Sequence, residues 1–133
     1  MDLDKEIPNS RFEYPKLIVS VYNHSILHVF VKADSLLEMK DIQEITVYIN
    51  ALGERKYRNV FEFSKYSSTD DAVRKWASDP EGNKRTMADA IVINGLDQKI
   101  LADFYLKFNQ PKKPTKLFDN VKEAIAWLIT IEE

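Results

Sequence analysis

The sequence predicts an α/β domain in which a mixed sheet opens with a β-hairpin and continues as alternating helices and strands, in the order ββαβαβαβα. Two runs rich in β-branched residues, Leu17–Tyr22 and Ile26–Val31, are separated by three polar residues, as in a hairpin. After them the hydrophobic spacing changes from the period of a strand to that of a helix. Short apolar runs then alternate with amphipathic segments, which predicts parallel strands joined by right-handed crossovers.

The first predicted helix begins near Met39. Its apolar positions recur at spacings of three and four, and Gly53 follows them as a C-terminal stop. These positions are Ile42, Ile45, Ile49 and Leu52. A short strand is then predicted over residues 59–63.

A second helix is predicted to carry apolar residues between 72 and 77, with Thr69 or Asp70 as its N-cap and residues 79–83 as its end. A continuous apolar strand is expected over residues 90–94, a helix over 96–108 and a short strand over 115–118. A terminal helix is capped by Asn120 with Glu123 three positions later. Its core positions are Val121, Ala124, Ile125, Leu128 and Ile131.

Length and composition fit one domain. A chain of 133 residues with 44% apolar and 30% charged residues can bury a single core and remain globular. We expect residues 1–15 to form a flexible N-terminal segment, because they are polar and contain Pro8 and Pro15. Residues 16–133 are expected to form a single domain.

Charge and hydropathy exclude several classes of partner. The net charge of −2 provides no general attraction to nucleic acid or to an anionic membrane. No apolar run approaches the ~20 residues that span a bilayer, so we expect no stable membrane insertion. The acidic start lacks the layout of a signal peptide, and cysteine is absent. A cytoplasmic location is therefore expected.

No residue pattern predicts catalysis. Three glycines, Gly53, Gly82 and Gly95, cannot form a phosphate-cradling loop, and the carboxylates are scattered. A metal site at His24 and His28 is conceivable, since residues four apart on a strand share a face, but a solvated turn residue and a strand residue are the simpler interpretation. We expect no enzyme activity, no cofactor and no metal.

The helix over residues 96–108 carries more apolar residues than one buried stripe requires. Ile100, Leu101, Phe104 and Phe108 can pack on the sheet, which leaves Tyr105 and Leu106 facing elsewhere. Lysines lie close by in the sequence, including Lys116. The predicted binding surface is Phe104, Tyr105, Leu106, Lys107, Phe108, Lys112 and Lys113. Three interpretations stay open: a wide buried face with a solvated lysine rim, a surface for a protein partner or a homodimer, or a cleft for a lipid or another small hydrophobic ligand.

The C-terminal half has the strand 90–94, the aromatic helix through 104–108, and then Pro111, Pro114, Thr115, Lys116 and Phe118. The run Glu123-Ala-Ile-Ala-Trp-Leu128 follows and closes the series. In this order these features resemble the C-terminal half of bacterial SpoIIAA-like proteins of the STAS type. The resemblance extends over roughly residues 16–130 and implies a STAS-like or lipid-binding CRAL-TRIO-like α/β fold.

The resemblance also implies a regulatory role. Better-known relatives are anti-sigma-factor antagonists that bind a kinase partner and are switched by phosphorylation of one serine, after the third strand. Ser67 and Ser68 occupy the corresponding stretch, although it lacks the relatives' Asp-Ser-Gly pattern. The sequence therefore predicts a non-enzymatic regulatory or protein-binding module. The alternative is a carrier of a lipid or another hydrophobic small molecule.

Overall fold

The computed structural model of the chain describes residues 1–80 and 84–132. Within these ranges the strands are β1 (Ser10–Glu13), β2 (Leu17–Tyr22), β3 (Ile26–Val31), β4 (Leu36–Leu37), β5 (Tyr57–Phe63), β6 (Ser68–Thr69), β7 (Thr86–Val92) and β8 (Thr115–Phe118). The helices are α1 (Met39–Ala51), α2 (Asp71–Ser78), α3 (Leu96–Phe108) and α4 (Val121–Ile129).

The main sheet of the described residues has six strands in the order β1-β2-β3-β5-β7-β8. β1, β2 and β3 pair antiparallel, and β3, β5, β7 and β8 are parallel to one another. The predicted hairpin followed by parallel strands is therefore confirmed. A separate short parallel pair, β4 with β6, was not predicted.

The helices divide between the two faces of the sheet. Each crossover from β3 to β8 advances one strand in the same direction, so right-handed connections bring α1, α2 and α3 to one face. On this face the first core cluster contains Leu17, Val19, Val29, Ile42 and Val73. The opposite face is covered by α4, whose Ala124, Ile125 and Leu128 pack with β-strand residues such as Val60 and Ala90.

β1 lies inside residues 1–15, for which the sequence predicts a loose terminus; residues 10–13 form a strand, and the flexibility of the rest stays a prediction. It is an edge strand that pairs with β2 from Ser10 to Glu13. Phe12 remains half-exposed beside Tyr14, with 4.7 Å between the ring centroids, and the Ser10 hydroxyl hydrogen bonds to the Tyr48 hydroxyl on α1. An edge strand pairs with a neighbour on one side only and needs little apolar alternation. The hydrophobic pattern of the sequence therefore does not indicate β1.

The predicted helix limits agree with the structure. α1 begins at Met39, and Gly53 follows it in the left-handed region with φ 105°. α3 spans residues 96–108 as predicted, and Asn120 caps α4 by accepting a hydrogen bond from the Glu123 amide at 2.9 Å. α2 ends at Ser78; the predicted stop extends to residues 81–83, which lie outside the described ranges.

Two strands begin earlier than predicted. β5 starts at Tyr57, two residues before the expected start. β7 spans Thr86–Val92, whereas the apolar run predicted residues 90–94. Thr86 and Asp89 are buried polar residues in β7. Because they interrupt the apolar run, the run indicates only the later part of the strand.

An ionic cluster at the start of α1 joins this helix to the sheet. The Lys16 ammonium donates to Glu38 Oε1 at 2.7 Å, to Asp41 Oδ2 at 3.3 Å and to the Leu36 carbonyl at 2.9 Å. Glu38 and Asp41 also form a capping box at the first turn. The nearby ammonium lowers the pKa of Glu38 below its ordinary value of 4.5.

This cluster predicts an acid-dependent contribution to stability. Because the Glu38 pKa is lower in the folded chain, its stabilisation is present above the ordinary value of 4.5 and is lost as pH falls through the folded pKa. We expect Lys16→Met to lower the melting temperature at neutral pH, and the difference from the wild type to shrink below pH 4.5. Thermal denaturation across a pH series measures this, with Lys122→Met, at an exposed position of α4, as control. A constant difference across that series would contradict the assignment.

The closing helix provides a second test. Leu128 is fully buried, so Leu128→Ala should lower the free energy of unfolding by about 2–5 kcal/mol. Lys122→Ala on the exposed side of the same helix is the control and should change it by less than about 0.5 kcal/mol. Urea titration followed by tryptophan fluorescence measures both. Equal, small losses would show that α4 is not a core element.

Candidate functional site

A cleft of about 90 Å³ lies between α2, α3 and the sheet. We call it the α2–α3 cleft. Its wall is mostly apolar because alternate residues of β5 and β7 point to the same side. Apolar side chains in the wall are Leu37, Ile42, Phe61, Phe63, Val73, Trp76, Ala77, Ile91, Ile93, Leu101 and Ala102. The polar residues are Ser67, Ser68, Thr69, Arg74, Asp89, Gln98 and Tyr105.

α2 forms one side of the cleft. Asp70 caps the helix by accepting a hydrogen bond from the Val73 amide at 2.9 Å. Arg74 turns back towards the preceding strand, where its Nη1 donates to the Thr69 carbonyl and, at 3.0 Å, to the Thr69 hydroxyl. These bonds fix the guanidinium at the margin of the cleft.

α3 is fastened to the opposite side by Gln98. The Gln98 side-chain amide donates to the carbonyls of Ser64 and Ser67, at 2.8 and 3.0 Å, and accepts from the Asn94 amide at 2.6 Å. One side chain therefore ties the first turn of α3 to the turn that follows β5. The spacing Gln98, Leu101, Ala102 and Tyr105 forms the inner stripe of the helix.

A buried polar network lies on the sheet beside this cleft. We call Asn59, Thr86 and Asp89 the polar floor; all three are buried. The Asn59 amide nitrogen lies 2.9 Å from the Thr86 hydroxyl and 2.9 Å from Asp89 Oδ1, and donates to both. Such hydrogen bonds offset the cost of removing polar groups from water.

Tyr105 extends from α3 towards the polar floor and is only 5% exposed. Burial, followed by the negative charge of Asp89, raises the pKa of its phenol, so the hydroxyl stays protonated. In the described part of the chain this hydroxyl has no hydrogen-bond partner. It is therefore a buried donor without an acceptor among the described residues.

The orientation of α3 differs from the sequence prediction. Ala102 and Tyr105 are buried, whereas Ile100, Phe104 and Phe108, which were expected to pack on the sheet, are exposed. The helix has two apolar stripes of helical spacing, so periodicity alone does not show which stripe faces the sheet. The inner one is selected because Ala102 permits close approach and Gln98 finds backbone acceptors.

The outward apolar residues form a continuous row, which we call the outer stripe: Leu96, Ile100, Phe104 and Phe108. They are 46–70% exposed and spaced four residues apart. The Phe104 and Phe108 rings stack with centroids 4.2 Å apart. A solvent-exposed row of this kind often marks a binding surface.

The residues of the predicted binding surface therefore do not lie on one face: some are exposed and others are buried. Phe104, Lys107, Phe108 and Lys112 are exposed, and Leu106 is half-buried. Tyr105 belongs to the cleft. The Lys113 ammonium is buried without a hydrogen-bond partner among the described residues. Burial lowers its pKa, the charge of Asp89 opposes that effect, and Lys56 adds to it.

The predicted modification sites are less accessible than expected. Ser67 is 2% exposed, and its hydroxyl donates to the Ser64 carbonyl at 2.6 Å. A kinase could reach it only after local opening of the turn, and its modification stays a prediction. Ser68 is half-buried within β6 and stays a prediction.

The two histidines lie in different local environments. His24 occupies the tight turn after β2 with φ 64°. His28 hydrogen bonds through Nε2 to Glu62 Oε1 at 2.8 Å, so an acidic residue does adjoin it, on the neighbouring strand. Sequence spacing missed Glu62 because the contact depends on the parallel register of β3 and β5. Within residues 1–80 and 84–132 no group of three metal-binding side chains occurs.

Fold and sequence comparisons now define the class. The structure is similar to the crystal structure of an uncharacterized protein from the DUF3478 family with a SpoIIAA-like fold, from Shewanella loihica PV-4. The TM-score is 0.59 at 15% sequence identity, covering 92% of this chain and 98% of that one. The chain thus has a SpoIIAA-like fold, as the sequence resemblance implied.

The family follows from the sequence itself. Residues 20–132 match the family described as a domain of unknown function, DUF7793, and the chain belongs to that family. No curated protein matches the chain. None of the described helices has the length and apolar character needed to cross a membrane.

The polar floor predicts a specific loss of stability. Asn59→Ala removes the donor shared by Thr86 and Asp89 and should lower the free energy of unfolding by about 1–3 kcal/mol. Asn50→Ala, at an exposed position of α1, is the matched control. Chemical denaturation measures the two variants. An Asn59 variant as stable as the control would show that the polar floor does not stabilise the fold.

Proposed function

We propose that the chain is a non-enzymatic protein-binding module that self-associates through the outer face of α3. The observation that carries the proposal is the outer stripe, four large apolar side chains exposed along one helix. Exposed apolar area of this kind gains free energy only when a partner covers it. The occupant we propose is a second copy of the chain.

The arrangement of the stripe favours an antiparallel pair. Ala102 lies at its midpoint, so in two antiparallel copies Leu96 reaches the level of the partner's Phe108, and Ile100 the level of the partner's Phe104. Rows at i, i+4 spacing pack side by side in the commonest class of helix contact. A two-fold pair therefore joins the same surface from each copy.

Charge along the helix favours the same orientation. Asp97 lies in the first turn and Lys107 in the last turn, and both are exposed. An antiparallel pair brings the acidic end of one helix to the basic end of the other, whereas a parallel pair would bring like charges together. The central charges, Lys99 and Asp103, already pair within the helix at 2.9 Å.

The expected dimer is weak. Thirteen residues of helix extend about 20 Å, and one helix pair of that length falls at the small end of stable interfaces, below about 1,200 Å². Association should consequently depend on protein concentration. Such a reversible interface suits a regulatory module.

Analytical ultracentrifugation across a concentration series tests the proposal. The wild type should shift from monomer to dimer, and Phe104→Glu should remain monomeric. Val47→Glu, at an exposed apolar residue of α1, is the matched control and should dimerise like the wild type. Because both positions are exposed, neither substitution should unfold the chain. A wild type that stays monomeric throughout would overturn self-association.

A charge exchange tests the orientation. Asp97→Lys alone and Lys107→Asp alone should each weaken dimerisation by roughly two- to fivefold, since each creates a like-charged pair in an antiparallel dimer. The double variant should recover wild-type affinity. Additive weakening in the double variant would exclude the antiparallel arrangement.

A second function, carriage of a hydrophobic small molecule, is favoured by the α2–α3 cleft. Its apolar wall is the feature that supports this function. Native mass spectrometry of gently purified chain tests it: carriage is expected to give an added mass that Ala102→Leu abolishes. An unmodified mass for both proteins would count against carriage.

A further inference from the structure

The loops that precede three parallel strands carry an excess of basic residues. They are residues 52–56 before β5, residues 79–80 and 84–85 before β7, and residues 109–114 before β8. The acids in these ranges are Glu54 and Asp79. The basic residues in them, which we call the basic end, are Arg55, Lys56, Lys84, Arg85, Lys112 and Lys113.

Parallel pairing brings these loops together. β5, β7 and β8 are neighbours in the sheet and run in the same direction, so their amino ends lie within about 10 Å of one another. Arg85 Nη1 donates to the Gly53 carbonyl at 3.3 Å, which joins the first two loops. Burial lowers the pKa of Lys113, the charge of Asp89 opposes this effect, and the charge of Lys56 adds to it. The first and third loops are therefore also close.

The other end of the sheet has a different balance of charge. The segments that follow β3, β4, β5 and β8 contain the acids Asp34, Glu38, Asp70 and Asp119, against Lys32 and Lys65. The net charge of −2 is therefore a sum over two ends of unlike sign. An expectation about partners that is based on this sum does not describe the electrostatic field at the basic end.

Helix dipoles account for only part of this sorting. α1 and α3 end on the side of the basic loops, and the C-terminus of a helix favours cations, but the effect falls off within the last turn. Lys56 lies five residues beyond the end of α1, and Lys112 lies four residues beyond the end of α3. Stabilisation of the helices therefore does not explain the charges of these loops.

The basic end has no counterion within the described part of the chain. None of its members takes part in an ion pair there. Arg55 lies over the Tyr57 ring, 5.6 Å from the ring centroid. The Lys113 ammonium is buried and can make no outside contact. The exposed members, whose charges face solvent, are Arg55, Lys56, Lys84 and Lys112.

The composition of these loops indicates the class of anion. Among the described residues, none of the exposed large apolar side chains lies in them. Protein–protein interfaces have aromatic or apolar anchors and few lysines at their core, and membrane-surface segments pair basic residues with apolar ones that enter the acyl boundary. Interfaces with nucleic acids are instead polar and strongly positive. A lysine-rich surface without an apolar anchor therefore fits a nucleic acid best.

We infer that the basic end binds the phosphate backbone of a nucleic acid through Arg55, Lys56, Lys84 and Lys112. Phosphate contacts carry no sequence information, so the binding is independent of base sequence. The inference goes beyond both proposed functions, because the basic end shares no residue with the outer stripe or with the α2–α3 cleft.

Fluorescence polarisation of a labelled oligothymidine across a salt series tests the inference with the full chain. Each phosphate contact of a single strand contributes about −0.7 to the slope of log K against log salt concentration. The four contacts therefore predict a slope of about −3 between about 50 and 200 mM KCl. No binding at the low-salt end, or a slope near zero, would overturn the inference.

A pair of double variants locates the site. Lys56→Gln with Lys112→Gln should halve the slope and weaken low-salt binding at least roughly tenfold. Lys65→Gln with Lys122→Gln is the matched control, because it removes the same charge from exposed positions at the other end of the sheet. It should leave the slope unchanged. Equal weakening by the two double variants would assign the binding to the net charge of the molecule and overturn the inference.

Two other polyanions test the choice of nucleic acid. Polyglutamate represents an acidic protein surface, and phosphatidylglycerol vesicles represent an anionic membrane. At equal charge concentration, each should displace the labelled oligothymidine less effectively than unlabelled oligothymidine does. Equal or stronger displacement by either one would transfer the site to that class of partner and overturn the nucleic-acid assignment.

Discussion

The direction in which the chain winds across its sheet is the constraint on which the rest of the structure depends. Every crossover from β3 to β8 advances one strand the same way, so right-handed connections direct three successive helices to one face. Neighbouring strands are about 4.8 Å apart, whereas packed helices need about 8–10 Å. The three helices therefore need more width than the four parallel strands provide, and α1 extends over β2.

The middle helix of the three, α2, is short. α2 has eight residues and extends about 12 Å, whereas the seven residues of β5 beneath it extend about 23 Å. The uncovered length of β5 and β7 leaves Phe61, Phe63 and Ile91 only partly buried. The α2–α3 cleft is thus a consequence of helix length and winding direction, and α3 is displaced to the edge, where its outer face meets solvent.

The polar floor determines how α3 completes this layer. Asp89 on a central strand is acceptable in the interior because Asn59 donates to it. The ring of Tyr105 lies beside this network, and its hydroxyl makes no hydrogen bond within the described residues. Tyr105 is the aromatic residue of α3 that turns inward, and Phe104 and Phe108 turn outward.

These arguments show what the sequence could predict. The limits of α3 and β8 were correct because proline, glycine and capping residues mark them locally. The predicted orientation of α3 was wrong because it depends on Gln98, whose acceptors Ser64 and Ser67 are distant in sequence. β1 and the pairing of His28 with Glu62 were missed for a similar reason, since both exist only through strand register. Local chemistry marks the limits of α3 and β8, whereas the starts of β5 and β7 and the inward side of α3 depend on tertiary contacts.

α3 is consequently an unusual amphipathic helix, with its larger apolar side chains outside and a smaller, partly polar stripe inside. The outer stripe is only partly covered within the monomer, so it contributes less to folding than a buried stripe would. The inner stripe borders a cavity, and Gln98 ties the first turn of α3 to the turn that follows β5. The position of this helix therefore depends on hydrogen bonds at one end and on the packing of Ala102 and Tyr105, beside a space that the monomer leaves unfilled. A helix held in that manner is well placed for recognition, because a molecule on either side adds contacts that the isolated monomer lacks.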